Sequence, residues 1–198
     1  KSLFEALLAG SWWTGYALLF ATRFVRTGCL LIGLAWFAGL LGCAPCHSVA
    51  HTYLASLFVV LALSSHTSGP WLVRLQLLAL YLGAGTHKLV DRDWWNGACF
   101  QTLMSTRHHI FSFEWLAARL PALSLARWSG IATIWTQLAL VLLFLQRRTY
   151  AYGIALGFVF HGTMVIWLKQ SFGPFLVSVL LSYLAFVERP SRVTIRSE

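Results

Sequence analysis

Seven apolar stretches, each closed by charge, proline or a Gly/Ser cluster, constrain this chain more than any other feature. They cover residues 3–22, 24–42, 49–64, 71–89, 128–146, 150–168 and 172–187. A helix needs about 20 mostly apolar residues to cross a bilayer core. None of the stretches alternates apolar and polar residues over its whole length, so the period argues for helices rather than strands. The chain is 58% hydrophobic and 11% charged, whereas soluble domains are about 45–50% apolar and about 25% charged. The expected fold is all-α, a polytopic transmembrane bundle of about seven spans over residues 1–187, with a cytoplasmic tail at 188–198. The third stretch is short for a span and should extend into Ser65 or begin near His47. The connection 90–127 should be an extracytoplasmic loop carrying a short amphipathic surface helix near 111–120, with Glu114 and Arg119 on its polar side.

Fifteen Lys and Arg stand against six Asp and Glu, a net charge of +9. No basic stripe with interleaved aromatics lies outside a span, so nucleic acid is not an expected partner. The basic residues sit instead at helix ends, where they orient a membrane protein and meet anionic lipid. Arg23 and Arg26, Arg147 and Arg148, and Arg189, Arg192 and Arg196 fall on one side of a seven-span chain, which the positive-inside rule makes cytoplasmic. Arg92, Arg107 and Arg119 in the long connection vote the other way. Trp12, Trp13, Trp71, Trp94, Trp95 and Trp167 suit an interfacial aromatic belt. The expected location is the cell (inner) membrane, with the lipid bilayer as the first partner.

This topology sends Cys43, Cys46, His47, His51, His87, Lys88, Asp91 and Asp93 to the outer side, and His161 about two thirds of the way there. Lys88 closes the fourth stretch behind Gly83, Ala84 and Gly85, small residues that let another helix approach. Two readings of Lys88 stand: an amine that snorkels to the membrane edge or pairs with Asp91 or Asp93, and a general base held in an apolar setting. His161 lies within an apolar helix, where an imidazole is costly unless paired; it either holds the bundle together or serves the site. His47 and His51 are four apart and could share a helix face, but no third ligand or carboxylate accompanies them, so no metal site is expected. Cys43-Ala44-Pro45-Cys46-His47 fits a redox dithiol, a small disulfide or a pair of free thiols, and also carries the c-type haem attachment pattern. A tight turn leaves little room for a porphyrin. Cys29 and Cys99 look unpaired, and Cys29 reads as a small buried apolar residue.

Three separate stretches resemble one family. His51-Thr52-Tyr53-Leu54 is similar to an N-H-x-Y-L element, with Ala50 in place of Asn. Tyr81 to Trp94 is similar to a Y-x-x-A-G-x-x-K-L…D-W element. Phe160-His161 with Phe172-Gly173-Pro174-Phe175 is similar to an F-H…F-P element. Together, over residues 45–185, they resemble the transmembrane domain shared by vitamin K-dependent γ-glutamyl carboxylase and its bacterial relatives, the HTTM domain.

The resemblance implies an extracytoplasmic pocket bounded by the third, fourth and sixth stretches that holds a quinone-like or lipid ligand. Lys88 would be the base, with His51 and His161 handling the ligand or oxygen. Tyr53, Tyr81, Asp93 and Trp94, which stand in the same motifs, would line it. Within the 198 residues no large extramembrane domain follows the bundle, so protein γ-carboxylation itself is not expected. Two further functions remain open at this point: a non-catalytic accessory subunit of a larger membrane complex, and electron transfer through haem at Cys43, Cys46 and His47.

Overall fold

The computed structural model describes residues 3–42, 49–64, 69–107, 115–116, 118–121, 124–168 and 173–187. These residues form an all-helical architecture with no strand among them. The long helices are α1 (Leu3–Leu19), α2 (Val25–Gly42), α3 (Val49–Leu63), α4 (Gly69–Val90), α7 (Ser124–Leu145), α8 (Tyr150–Leu168) and α9 (Gly173–Ser182). Two short helices, α5 (Arg92–Asn96) and α6 (Ala98–Arg107), lie between α4 and α7. Each apolar stretch is thus one helix, except that the last tightens into a 3-10 turn at Tyr183–Phe186.

Two of the helices, Ser124–Leu145 and Arg147–Ile166 with its leading 3-10 turn, are long and apolar enough to cross a membrane. Shorter apolar helices cover Val25–Leu41, His51–Leu63 and Phe175–Phe186. The 22-residue α4 has the length but carries Arg74, Gln76, His87 and Lys88, which dilute its hydropathy.

The connection 90–127 is not the loop expected. Asp91 caps α5, its carboxylate accepting from the Asp93 N–H at 3.0 Å, and Gly97 ends α5 in the left-handed region at φ 87°. The Trp95 indole N–H donates to the Leu89 carbonyl at 2.7 Å, satisfying an orphan acceptor at the end of α4. The amphipathic helix expected near 111–120 falls mostly outside the described residues; within them, Arg119 donates to the Trp115 carbonyl and its guanidinium lies 3.7 Å from the Trp115 ring centroid. The tail 188–198 and the Cys43–Cys46–His47 turn also lie outside them.

Successive long helices run antiparallel. Gly15 meets Gly28 and Ile32 across α1 and α2, Gly33 meets Ala55 and Val59 across α2 and α3, and Gly153 meets Phe144 across α8 and α7. On the α4 side, Gly85 meets Leu138, and Tyr81 stacks with Phe144. The ends of α2, α4 and α8 therefore share one end of the bundle with the starts of α3, α7 and α9. α4 is central: it packs on α3, α5, α7, α9 and the final 3-10 turn.

Two polar ties fix α4 near its start. Arg74 Nε donates to the Ala185 carbonyl at 2.6 Å, while its guanidinium sits 5.4 Å from the ring centroids of both Tyr150 and Phe186. Gln76 Nε2 donates to the Tyr53 carbonyl at 3.0 Å and to Ser56 Oγ at 2.7 Å, pinning α3. The core between α3, α4, α7, α8 and α9 is aromatic, built on Tyr53, Tyr81, Phe144, Tyr183 and Phe186.

Gly157 of α8 is the seat of the Tyr183 side chain, since a Cβ there would overlap the phenol oxygen. Gly162, one turn on, is exposed and meets nothing within 4 Å. Gly157→Val should therefore cost about 1–3 kcal/mol by overpacking, against about 0.5 kcal/mol for the same change on an open surface. Thermal unfolding of the detergent-solubilised chain, with Gly162→Val as reference, measures the difference; equal shifts would mean that Tyr183 is not seated there.

Candidate functional site

At the shared end of α4, α7 and α8 lies a cavity of about 310 Å³. Its walls are mostly apolar: Trp94 of α5, Phe100 and Leu103 of α6, Ala132 of α7, and Leu156, Val159, Phe160 and Met164 of α8. The polar side chains on it are Lys88, Ser129, Thr133, Thr136, Gln137 and Thr163. A few placed polar groups in an apolar cleft is the usual make-up of a small-molecule site.

Lys88 is the charged residue in that wall. Its ammonium donates to the Ala84 carbonyl at 3.2 Å and sits 4.8 Å from the Trp94 ring centroid. The nitrogen is thus folded back along its own helix against an aromatic face, an arrangement in which the ring quadrupole attracts a cation. Of the two carboxylates expected as partners, Asp91 is used as the cap of α5, and Asp93 is exposed on the first turn of that helix.

The position of Trp94 is set by backbone contact. Gly130 of α7 lies so close to the Trp94 carbonyl that a Cβ there would overlap it, and a Cβ on Gly97 would come within 2.5 Å of the Arg127 nitrogen. Two glycines therefore let α5 lie flat on the start of α7, and this holds the indole over the amine. Of the small residues before Lys88, Gly85 faces α7 and would meet Leu138 at 2.9 Å with a Cβ, whereas Gly83 meets nothing within 4 Å.

Gln137 is 8% exposed, midway along α7, and its Cβ lies 3.4 Å from the position a Gly85 Cβ would take. Its amide oxygen is buried with no hydrogen-bond donor. An orphaned buried acceptor costs about 1–3 kcal/mol, so this atom marks either strain or a missing partner. The sequence offers one signal for it, a lone amide in a long apolar helix.

His161 is 4% exposed and belongs to a different cluster. Its Nε2 is 2.8 Å from the Tyr81 hydroxyl, which also hydrogen-bonds the Tyr183 hydroxyl. One atom thereby joins α4, α8 and the 3-10 turn after α9. Beside it, Ser182 donates to the Ser178 carbonyl at 2.7 Å, so the Tyr53 hydroxyl is the donor in its own 2.7 Å bond to Ser182 Oγ. Phe175 contacts both His161 and Tyr53 edge-on.

Of the residues expected to meet, Lys88 and Trp94 share the cavity. Tyr81, two turns down α4 from Lys88, and His161, beside the cavity-lining Phe160 of α8, are not among the residues that line it. Tyr53 lies on the α3 side of the same core. His51 sits at the same end of the bundle as Lys88 but stacks on Trp36 of α2, ring centroids 4.9 Å apart. The wall expected from α3 is supplied instead by α5, α6 and α7. Cys43 and Cys46 lie outside the described residues. Cys29 and Cys99 are free, and Cys29 is buried as expected. Among the described residues no group of three metal-ligating side chains occurs.

No family model, no curated protein and no solved structure matches the chain.

Removal of the Tyr81 hydroxyl strands His161 Nε2 and the Tyr183 hydroxyl together. Tyr81→Phe should lower stability by about 1–3 kcal/mol, while Tyr152→Phe on an exposed tyrosine changes it by less than about 0.5 kcal/mol. Reversible unfolding in mixed micelles reads both. A Tyr81→Phe chain as stable as the parent would remove the cluster as the anchor of α4.

Proposed function

We propose that this chain is a multi-pass protein of the cell (inner) membrane, similar in its bundle to the HTTM domain, and that its cavity binds a lipid-soluble aromatic ligand of quinone type. The observation that carries the reading is the amine of Lys88, held against Trp94 in a largely apolar cavity. A half-buried lysine in an apolar cleft is expensive, and function is the default reason for keeping one. The motifs around His51, Lys88 and His161 support the family likeness. Outward-facing Phe20, Leu41, Leu142 and Ile166 support a lipid surroundings, since a water-facing surface of that kind would aggregate.

The chemistry available to Lys88 is proton transfer. A neutral amine takes the proton of a ligand hydroxyl, leaving an aryloxide anion paired with the new ammonium. The Trp94 face then stabilises that ammonium, and the excluded water strengthens the pair. In this reading His161 is a positioning residue: through Tyr81 it fixes the rotation of α4, and with it the direction of Lys88. His51 borders the site's end of the bundle from α3.

Two measurements test the reading. In nanodiscs, a radiolabelled naphthohydroquinone kept reduced under anaerobic conditions should bind the full chain saturably, and Lys88→Met should weaken it about tenfold or more, equivalent to about 1.4 kcal/mol. Binding unchanged by Lys88→Met would end the assignment. In a background with Cys29, Cys43, Cys46 and Cys99 replaced by Ser, Asn96→Cys should react in intact cells with a membrane-impermeant maleimide and Arg148→Cys should not. The opposite pattern would invert the orientation.

A further inference from the structure

Lys88 supplies donors to the cavity, yet the cavity also contains an acceptor that nothing among the described residues uses. Gln137 lines it from the middle of α7, is 8% exposed, and its amide oxygen is buried without a donor. A cavity hydroxyl four residues before it on the same helix is committed elsewhere: Thr133 Oγ1 donates to the Ser129 carbonyl at 2.8 Å. Gly85 brings α4 against the Gln137 stem, and Lys88 follows one turn later on the same helix face. The amine and the amide thus line the same cavity from α4 and α7, one offering hydrogens and the other lacking one. The terminal torsion of a glutamine is broad and two-fold, so the amide oxygen can turn toward a ligand without moving the stem.

We infer that Gln137 is the specificity-determining residue of this cavity, and that it selects a ligand carrying an O–H or N–H donor in addition to the oxygen held by Lys88. This rests on the cavity being a ligand site, and it deepens that reading by naming the group the ligand must bear. A donor-bearing ligand satisfies the orphaned oxygen. An analogue in which the donor is methylated fills the same space and leaves the oxygen unpaired, and sites of this kind discriminate steeply against ligands that strand a buried polar group. The preference is for a neutral donor rather than an anion, because an anion beside the amide oxygen would meet another negative end.

A matched pair of probes reads this directly: 4-methoxy-1-naphthol, which has one hydroxyl, and 1,4-dimethoxynaphthalene, which has none. Their equilibrium binding to the full chain in nanodiscs is measured with protein-free nanodiscs subtracted. The parent chain should prefer the naphthol about tenfold or more. Gln137→Met, similar in length and without the acceptor, should bring the ratio to about one, mainly by strengthening the ether. Gln137→Glu, which keeps an acceptor, should restore the preference. Gln137→Leu serves in place of the Met variant if that chain fails to fold. A naphthol preference that survives Gln137→Met and Gln137→Leu overturns the inference and leaves the cavity reading standing, with Lys88 then reading the hydroxyl. A parent chain that binds neither probe saturably overturns both.

Discussion

The hydroxyl of Tyr81 is a polar atom on which three parts of the bundle converge. It bonds His161 of α8 and Tyr183 of the final 3-10 turn from its own place in α4. In an apolar interior none of these groups can turn to water, so each is held by the cost of leaving the others unpaired. The consequence is a fixed rotation of α4 about its axis. At 100° per residue, Tyr81, Gly85 and Lys88 fall within about 60° of one another, so the face that points Tyr81 into the core also turns Gly85 to α7 and Lys88 to the cavity. The amine's position is thus decided two turns away from it, by residues that do not line the cavity.

Height along the bundle was legible in the sequence, and direction around each helix was not. Charges and prolines mark helix ends to within a few residues, and alternation of successive helices then sends His51 and Lys88 to the same end. Nothing in the order of residues says which neighbour a side chain will face. His51 has the expected height but turns to Trp36 of α2, while α4 stands between α3 and the cavity. Trp94 and Lys88 meet because they are close along the chain, so their pairing survives the loss of azimuthal information. Gln137 is the converse case: its partnering is set by the contact of α7 with Gly85, and a single glutamine in an apolar stretch announces burial but not where it points.

The misjudged connection has a different cause. Hydropathy sees apolar runs, and α5 and α6 are short and mixed. The markers that reveal α5 are capping signals: Asp91 placed to accept from the Asp93 N–H, and Gly97 at the left-handed exit. Asp91, read from the sequence as a candidate partner of Lys88, is helix punctuation. The difference matters for the cavity, because α5 and α6 supply the wall that α3 was expected to provide.

That wall also sets how Lys88 is held: the contacts of its amine among the described residues are the Ala84 carbonyl and the Trp94 ring. A salt bridge would neutralise the ammonium and fill the space a ligand needs. A ring face supports the charge while taking up no hydrogen-bond donor, so the amine's remaining donors stay available to the cavity. The support is rigid because it rests on backbone contacts at Gly97 and Gly130 rather than on side-chain rotamers. With the indole fixed, the Gln137 stem against Gly85 and the Tyr81 cluster holding α4 in register, the backbone around the cavity's polar side chains is set by the fold itself. Such preorganisation is what allows a few polar atoms in an apolar cleft to choose among ligands of the same shape.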